Sequence, residues 1–104
     1  MSIPVVAIIK AKPGKEAELE RILHGLVEGS HKEPGCVTYA LHRAQNEPGT
    51  FVFVEKWKGA AELGAHFQTP HIAAAMQRKE ALIAQMDVYP LDLIGRGVPE
   101  KNTF

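Results

Sequence analysis

The chain has 104 residues, 45% of them hydrophobic, which predicts a single domain with one core. Twelve basic residues balance twelve acidic ones, and neither sign is clustered beyond a short pairing of Lys56 and Lys58. This distribution disfavours nucleic acid and anionic membranes as partners.

The single cysteine, Cys36, has no second cysteine for an intrachain disulfide. This fits a reducing compartment, so we expect a cytoplasmic protein. The apolar N-terminal stretch lacks a basic start and is much shorter than a membrane span. We therefore predict a strand there and no targeting segment.

The first half of the chain predicts a strand followed by a helix. Residues Ile3 to Ala11 form an apolar, β-branched run typical of a strand buried on both faces. After the turn at Lys12-Pro13-Gly14, the apolar residues fall at amphipathic helical spacing: Leu19, Ile22, Leu23, Leu26 and Val27.

Two glycines lie inside this predicted helix. Gly25 and Gly29 each weaken a helix relative to alanine, so they either let another backbone or a ligand approach, or allow tight packing on the sheet. Glu33-Pro34-Gly35 ends the helix, because Pro34 disfavours helical geometry at Glu33.

A hairpin follows, with strand two over Cys36 to Ala44 and a loop over Gln45 to Thr50. Strand three begins at Phe51. Its alternation places Phe51, Phe53, Glu55 and Trp57 on one face and Val52, Val54, Lys56 and Lys58 on the other.

The second half predicts helix and strand again. Gly59 breaks strand three, and a short helix spans Ala60 to Phe67. Thr69 and Pro70 suit the start of a second helix from about His71 to Gln85. A last strand, Asp87 to Gly95, contains Pro90, which indicates an edge position or a bulge.

The predicted order β, α, β, β, α, β gives an α+β, ferredoxin-like sandwich, with a four-stranded antiparallel sheet and both helices on one face. We assign residues 1–95 to this domain and 96–104 to a C-terminal tail. The uncovered sheet face predicts a homodimer in which two sheets pack together and the C-terminal segment crosses over.

Between Phe51 and His71 the sequence concentrates groups able to do chemistry. Glu55 lies between aromatic residues in a strand, where burial would raise its pKa and suit it as a general base. Alternatively it is a structural carboxylate paired with His66, His71 or a backbone amide at a helix start.

His66 and His71 are separated by the break at Thr69-Pro70, so they do not share a helix face as a metal-binding pair would. No further histidine or cysteine is close in sequence, and we predict no metal site. Each histidine either contacts substrate or forms structural hydrogen bonds.

The aromatic residues Tyr39, Phe53 and Trp57 either line a substrate cavity or fill the core. Trp57 is at the end of its strand, where a cavity would open. Cys36 has no obvious activating partner, so we predict no nucleophilic role for it.

The combination of Glu33-Pro34-Gly35-Cys36, Glu55-x-Trp57 and His66-x-x-x-x-His71 resembles the antibiotic biosynthesis monooxygenase family. That family includes quinol monooxygenases and an autoinducer-processing isomerase. The resemblance implies a dimeric α+β barrel with a pocket between sheet and helices. It also implies oxidation of a phenolic or polyketide substrate by O2 without metal, flavin or haem.

The sequence departs from two branches of this family. The founding polyketide oxidase has an asparagine four residues before its tryptophan and a tyrosine six after it, where this chain has Phe53 and Leu63. The haem-degrading branch has an asparagine on strand one and a histidine on the second long helix. The corresponding positions here are Val6 or Ala7 and Met76, which disfavours haem degradation.

The first hypothesis is therefore a cofactor-independent monooxygenase acting on a small aromatic, quinol or polyketide-like substrate. Glu55, His66 and His71 would handle protons, and Tyr39, Phe53 and Trp57 would shape the pocket. The alternatives are an isomerase of a small oxidised metabolite and a non-catalytic dimeric module that binds small molecules.

Overall fold

Four strands and four helices make up the fold in a computed structural model that describes residues 2–103. The strands are β1 (Ile3–Ala11), β2 (Cys36–Arg43), β3 (Thr50–Trp57) and β4 (Ile83–Pro90). The helices are α1 (Glu16–His31), α2 (Ala60–Phe67), α3 (Pro70–Met76) and α4 (Lys79–Leu82). A short 3-10 helix, Pro99–Lys101, lies near the C-terminus.

The strands form one antiparallel sheet in the order β2-β3-β1-β4, which confirms the predicted ferredoxin-like α+β fold. Glu55 on β3 lies opposite Val5 of β1 and Tyr39 of β2, at the centre of the sheet. The register shifts between Cys36 and Thr38, and Val37 there is 53% exposed. A shift of this kind is a β-bulge, which re-aims side chains at a sheet edge.

The core lies between one sheet face and the helices. Strand β3 buries Phe51, Phe53, Glu55 and Trp57, as its alternation predicted, while Val52 and Val54 stay partly exposed. Strand β1 alternates in the same way, with Val5, Ala7 and Ile9 buried and its other side partly exposed in the single chain. Within residues 2–103, the α-helices cover this one face of the sheet, because both helical segments return to the same side.

The second helical segment is shorter than predicted. Helix α3 ends at Met76, α4 at Leu82, and β4 begins at Ile83. The predicted helix to Gln85 and the predicted strand from Asp87 to Gly95 are both present, but their bounds are wrong. Leu82 and Ile83 are both buried, the first from a helix and the second from a strand. A short apolar run fits either periodicity, and pairing of Ile83 with Ala11 decides for the strand.

The second sheet face carries partly exposed apolar side chains, called here the outer face: Val6, Ile8, Val52, Val54 and Tyr89. The C-terminal segment returns to this side, where Lys56 donates a hydrogen bond to the Thr103 hydroxyl across 3.1 Å. Edge strand β4 ends at Pro90, in keeping with the edge position expected for that proline. Within residues 2–103, no helix is long and apolar enough to cross a membrane.

Candidate functional site

Glu55 and Trp57 are joined by a buried hydrogen bond. They lie two residues apart on β3, so both side chains point into the core, and Trp57 Nε1 donates to Glu55 Oε1 across 2.9 Å. Glu55 is 4% exposed, and this burial raises its pKa to about 7. The Glu33 carboxylate adds to the rise and the Trp57 hydrogen bond opposes it. Glu55 can therefore exchange a proton near neutral pH.

Glu33 is hydrogen-bonded to both histidines of the site. One of its oxygens, Oε2, lies 2.8 Å from His66 Nδ1 and 2.8 Å from His71 Nε2. The three residues come from the loop after α1, from α2 and from the first turn of α3. Among the hydrogen bonds of residues 2–103, His66 and His71 thus pair with Glu33, and the carboxyl group of Glu55 pairs with Trp57.

Sequence reasoning did not name Glu33 as a site residue. It used Glu33 only as the residue that ends the first helix and as part of the Glu33-Pro34-Gly35-Cys36 motif. Glu33 is 33 residues from His66 in the chain, so local spacing could not reveal the pairing. The sequence carries no local signal for the pairing, because the acidic residue nearest to His66 in sequence is Glu62, on the same helix.

His66 is enclosed by aromatic rings. Its ring centroid lies 4.3 Å from that of Trp57 and 5.3 Å from that of Tyr39, and the residue is 2% exposed. Burial lowers the pKa of His66, although the Glu33 carboxylate partly opposes this effect. The neutral imidazole is therefore favoured, with one nitrogen facing Glu33 and the ring packed on the indole.

Gly29 is the position on α1 that admits the His71 ring. A Cβ atom at Gly29 would lie 2.7 Å from His71 Cγ, closer than real Cβ atoms approach. At Gly25, four residues earlier, a Cβ atom would meet nothing within 4 Å. The group that approaches Gly29 closely is therefore the His71 side chain, rather than the backbone, ligand or sheet contact expected from the sequence.

Tyr39 lies between this interior cluster and an open groove of about 670 Å³ along α1 and β2. Its ring packs on Phe53 at 4.6 Å and lies 6.0 Å from Trp57. Burial, reinforced by the Glu55 carboxylate, raises the Tyr39 pKa, so the phenol stays protonated and can donate a hydrogen bond. Cys36 also borders the groove, and burial raises its pKa, which keeps the thiol in its unreactive form.

The structure thus brings Tyr39, Phe53, Glu55, Trp57 and His66 together, and joins His71 to them through Glu33. Residues 2–78, which contain all of these groups, match the family model for antibiotic biosynthesis monooxygenase. The chain belongs to this family. The match confirms the resemblance drawn from the sequence motifs.

Two curated relatives of the family cover most of this chain. It is 37% identical over 92 residues to YcnE of Bacillus subtilis, whose name carries a provisional assignment as a monooxygenase, covering 88% of this chain and 97% of YcnE. It is 29% identical to the probable quinol monooxygenase YgiN of Escherichia coli, covering 83% of this chain and 92% of YgiN. A match to protein sll1783 of Synechocystis, 35% identical, spans only 56% of that protein's length.

A solved structure of similar fold is that of PA3566 from Pseudomonas aeruginosa. It superposes with a TM-score of 0.84 at 33% identity, over 86% of this chain and 91% of the PA3566 chain. The agreement supports the α+β fold assignment.

Proposed function

We propose that this family member is a monooxygenase that oxidises a small aromatic or quinol-like substrate with O2, without an organic cofactor or a metal. The observation that carries the proposal is the buried Glu55, whose pKa of about 7 suits a base that accepts a phenolic proton. Family membership and the name of YgiN, a probable quinol monooxygenase, support the reaction class.

The chemistry requires little beyond deprotonation. A quinol and O2 give a hydroxyquinone and water, so the substrate supplies all the electrons and no external reductant is consumed. Removing a hydroxyl proton makes the substrate anion a better electron donor to O2. The protein then has to hold the substrate against an aromatic wall, accept its proton and exclude water.

The groove beside Tyr39 is the place where the substrate enters in this proposal. Tyr39 lines the groove and lies opposite Glu55 in the strand ladder. Its protonated hydroxyl orients a substrate oxygen, and movement of its ring admits that oxygen to Glu55. Trp57 orients the carboxyl group of Glu55, and the neutral His66 completes the aromatic wall.

Oxygen consumption tests the proposal. Uptake with a panel of hydroquinones and anthrones, in buffer containing a chelator, should exceed the autoxidation rate measured without protein. The Glu55→Gln variant should return the rate close to that background, while Glu28→Gln, at an exposed carboxylate on α1, should retain full activity. Uptake at the autoxidation rate by the native chain would contradict an oxygenase. Thermal stabilisation by these compounds without turnover would then favour the small-molecule-binding alternative.

The functional unit in this proposal is a homodimer formed through the outer face. Val6, Ile8, Val52 and Val54 present a continuous apolar surface across β1 and β3, since Val6 pairs with Val54 and Ile8 with Val52. Tyr89, 50% exposed, extends the surface on β4. Apolar surface of this extent favours contact with a second copy rather than with water.

A cytoplasmic location also remains part of the proposal. Cys36 is a free thiol, which agrees with a reducing environment. We therefore expect the chain to be active with Cys36 reduced.

A further inference from the structure

Glu33, His66 and His71 place three potential metal ligands around one point. Glu33 Oε2, His66 Nδ1 and His71 Nε2 all lie within 4.8 Å of one another, and Glu33 is 2.8 Å from each imidazole. Ligands at about 2.1 Å from an ion in tetrahedral or octahedral geometry lie on the order of 3 Å apart. The cluster therefore has nearly the dimensions of a coordination site, although its atoms are joined here by hydrogen bonds.

The donor set is specific in its chemistry. Two imidazole nitrogens and one carboxylate oxygen suit zinc and the neighbouring divalent transition metals, and they suit magnesium or calcium poorly. The backbone also supports the arrangement, because each donor lies on a different segment and Gly29 leaves room for the His71 ring. A neutral imidazole binds by turning its lone pair toward the ion and carrying its proton on the other nitrogen.

We propose that Glu33, His66 and His71 form a binding site for a divalent transition-metal ion of the zinc and cobalt type. The ion replaces the two hydrogen bonds on Glu33 and bridges the loop after α1 to helices α2 and α3. The proposal goes beyond the oxidation described above, which is assigned to the metal-free chain and to Glu55.

The surroundings allow an ion to enter and be retained. The His71 side chain is 24% exposed and that of Glu33 is 12% exposed, so the cluster reaches solvent on that side. On the other side, the His66 ring packs against Trp57 and Tyr39 and excludes water. With three protein ligands and an exposed side, the site keeps a coordination position for water or another small ligand.

Cobalt binding to the untagged full-length chain is the test. After treatment with chelator and its removal, Co²⁺ is titrated while visible absorption is recorded, and bound metal is measured by equilibrium dialysis. We expect one Co²⁺ per chain, a visible absorption band typical of nitrogen and oxygen ligands, and displacement by Zn²⁺. No organic substrate is present in the cobalt titration, so a lack of Co²⁺ binding would not contradict the proposed oxidation. Likewise, a lack of oxygen consumption would not contradict the metal site.

Matched variants assign the site. Glu33→Gln and His71→Asn should each weaken Co²⁺ binding at least about tenfold, whereas His24→Asn should not change it. His24 lies 3.3 Å from Glu20 and so provides another histidine and carboxylate pair, exposed on α1. His71→Asn provides a second test in case Glu33→Gln does not fold, because His71 is the more exposed of the two residues. Circular dichroism checks that both variants are folded. Absence of binding to the native chain, native-level binding in both Glu33→Gln and His71→Asn, or loss of binding in His24→Asn would each overturn the proposal.

Discussion

The indole N–H of Trp57 donates a hydrogen bond to the carboxyl group of Glu55 across 2.9 Å, inside the core and two residues along the same strand. This bond orients a carboxyl group that has no cationic hydrogen-bond partner among the described contacts. A donor of this kind favours the carboxylate form, yet burial has the larger effect and raises the Glu55 pKa. Glu55 is therefore mostly protonated below neutral pH. Above neutral pH it is mostly ionised and can accept a proton from a substrate.

Glu55→Gln should abolish most of any oxidation that this site catalyses. The amide keeps the size of the side chain and can still accept the Trp57 hydrogen bond, but it cannot take a proton. Loss of a general base typically lowers the rate about 10²- to 10⁴-fold. In the native chain the rate should rise with pH through about 7, because the ionised carboxylate is the active form. Stopped-flow absorbance across this range measures the profile, and a flat profile in the native chain would exclude Glu55 as the base.

Glu55 should also make the native chain less stable as pH rises. Its pKa rises from 4.5 to about 7 on folding, so between these values the folded chain binds more protons than the unfolded chain. The free energy of unfolding therefore decreases as pH increases through this window, by at most about 3 kcal/mol. His66 acts in the opposite direction, because its lowered pKa makes the folded chain bind fewer protons near its ordinary value.

Comparison with Glu55→Gln isolates the Glu55 contribution, since the variant retains His66. Urea unfolding at pH 5 and pH 8 should show the variant gaining stability relative to the native chain at the higher pH. An equal difference at both pH values would show that Glu55 titrates at its ordinary pKa.

Glu33→Gln should destabilise the metal-free chain by about 1 to 3 kcal/mol, because two imidazoles lose a charged acceptor in a largely buried position. Glu28→Gln, the same change at an exposed carboxylate, should cost less than about 0.5 kcal/mol. Urea unfolding in the presence of chelator measures both.

A double-mutant cycle with His71→Asn checks the cause. If the Glu33 to His71 contact carries part of the effect, the combined loss will be smaller than the sum of the single losses. Strict additivity would assign the cost of Glu33→Gln to something other than this contact.

Much of the fold could be predicted because the local patterns were unambiguous. Alternation on β3 identified its buried face, including Glu55 and Trp57, and helical spacing identified α1. The boundary at Ile83 could not be predicted in this way, because Leu82 and Ile83 are apolar and fit a helix or a strand. Pairing with β1, which depends on residues more than 70 positions earlier, decided it.

The candidate site shows the same limit. The residues of the short segment from Phe51 to His71 were recognised together because they are close in sequence. Glu33 was missed as a ligand or partner, since its contacts with His66 and His71 exist only after α2 and α3 pack near the end of α1. The absence of a further histidine or cysteine near His66 and His71 in sequence therefore gave no information about donors from other elements.

Val54→Lys on the outer face should prevent the proposed homodimer. Val54 lies opposite Val6 on β1 and Ala40 on β2, at the centre of the outer face. A charge there would be buried without a partner in a face-to-face dimer but would remain hydrated in a monomer. Size-exclusion chromatography with light scattering should show the native chain at twice its 11.4 kDa mass and the variant as a monomer. Val37→Lys, at the exposed bulge of β2, should remain dimeric. A monomeric native chain would contradict the dimer directly.

Gly29→Ala and Gly25→Ala form a pair in which the same substitution on the same helix should have opposite effects. At Gly25 a methyl group meets open space, so the gain in helix propensity should stabilise the chain by up to about 1 kcal/mol. At Gly29 the methyl group would overlap the His71 ring, so the ring must move away from Glu33 Oε2 or α1 must shift. We expect Gly29→Ala to lose stability and to weaken Co²⁺ binding, while Gly25→Ala retains native binding. Thermal unfolding and the cobalt titration measure the two effects. A stabilised Gly29→Ala variant with unchanged cobalt binding would show that the His71 ring does not need the space above Gly29.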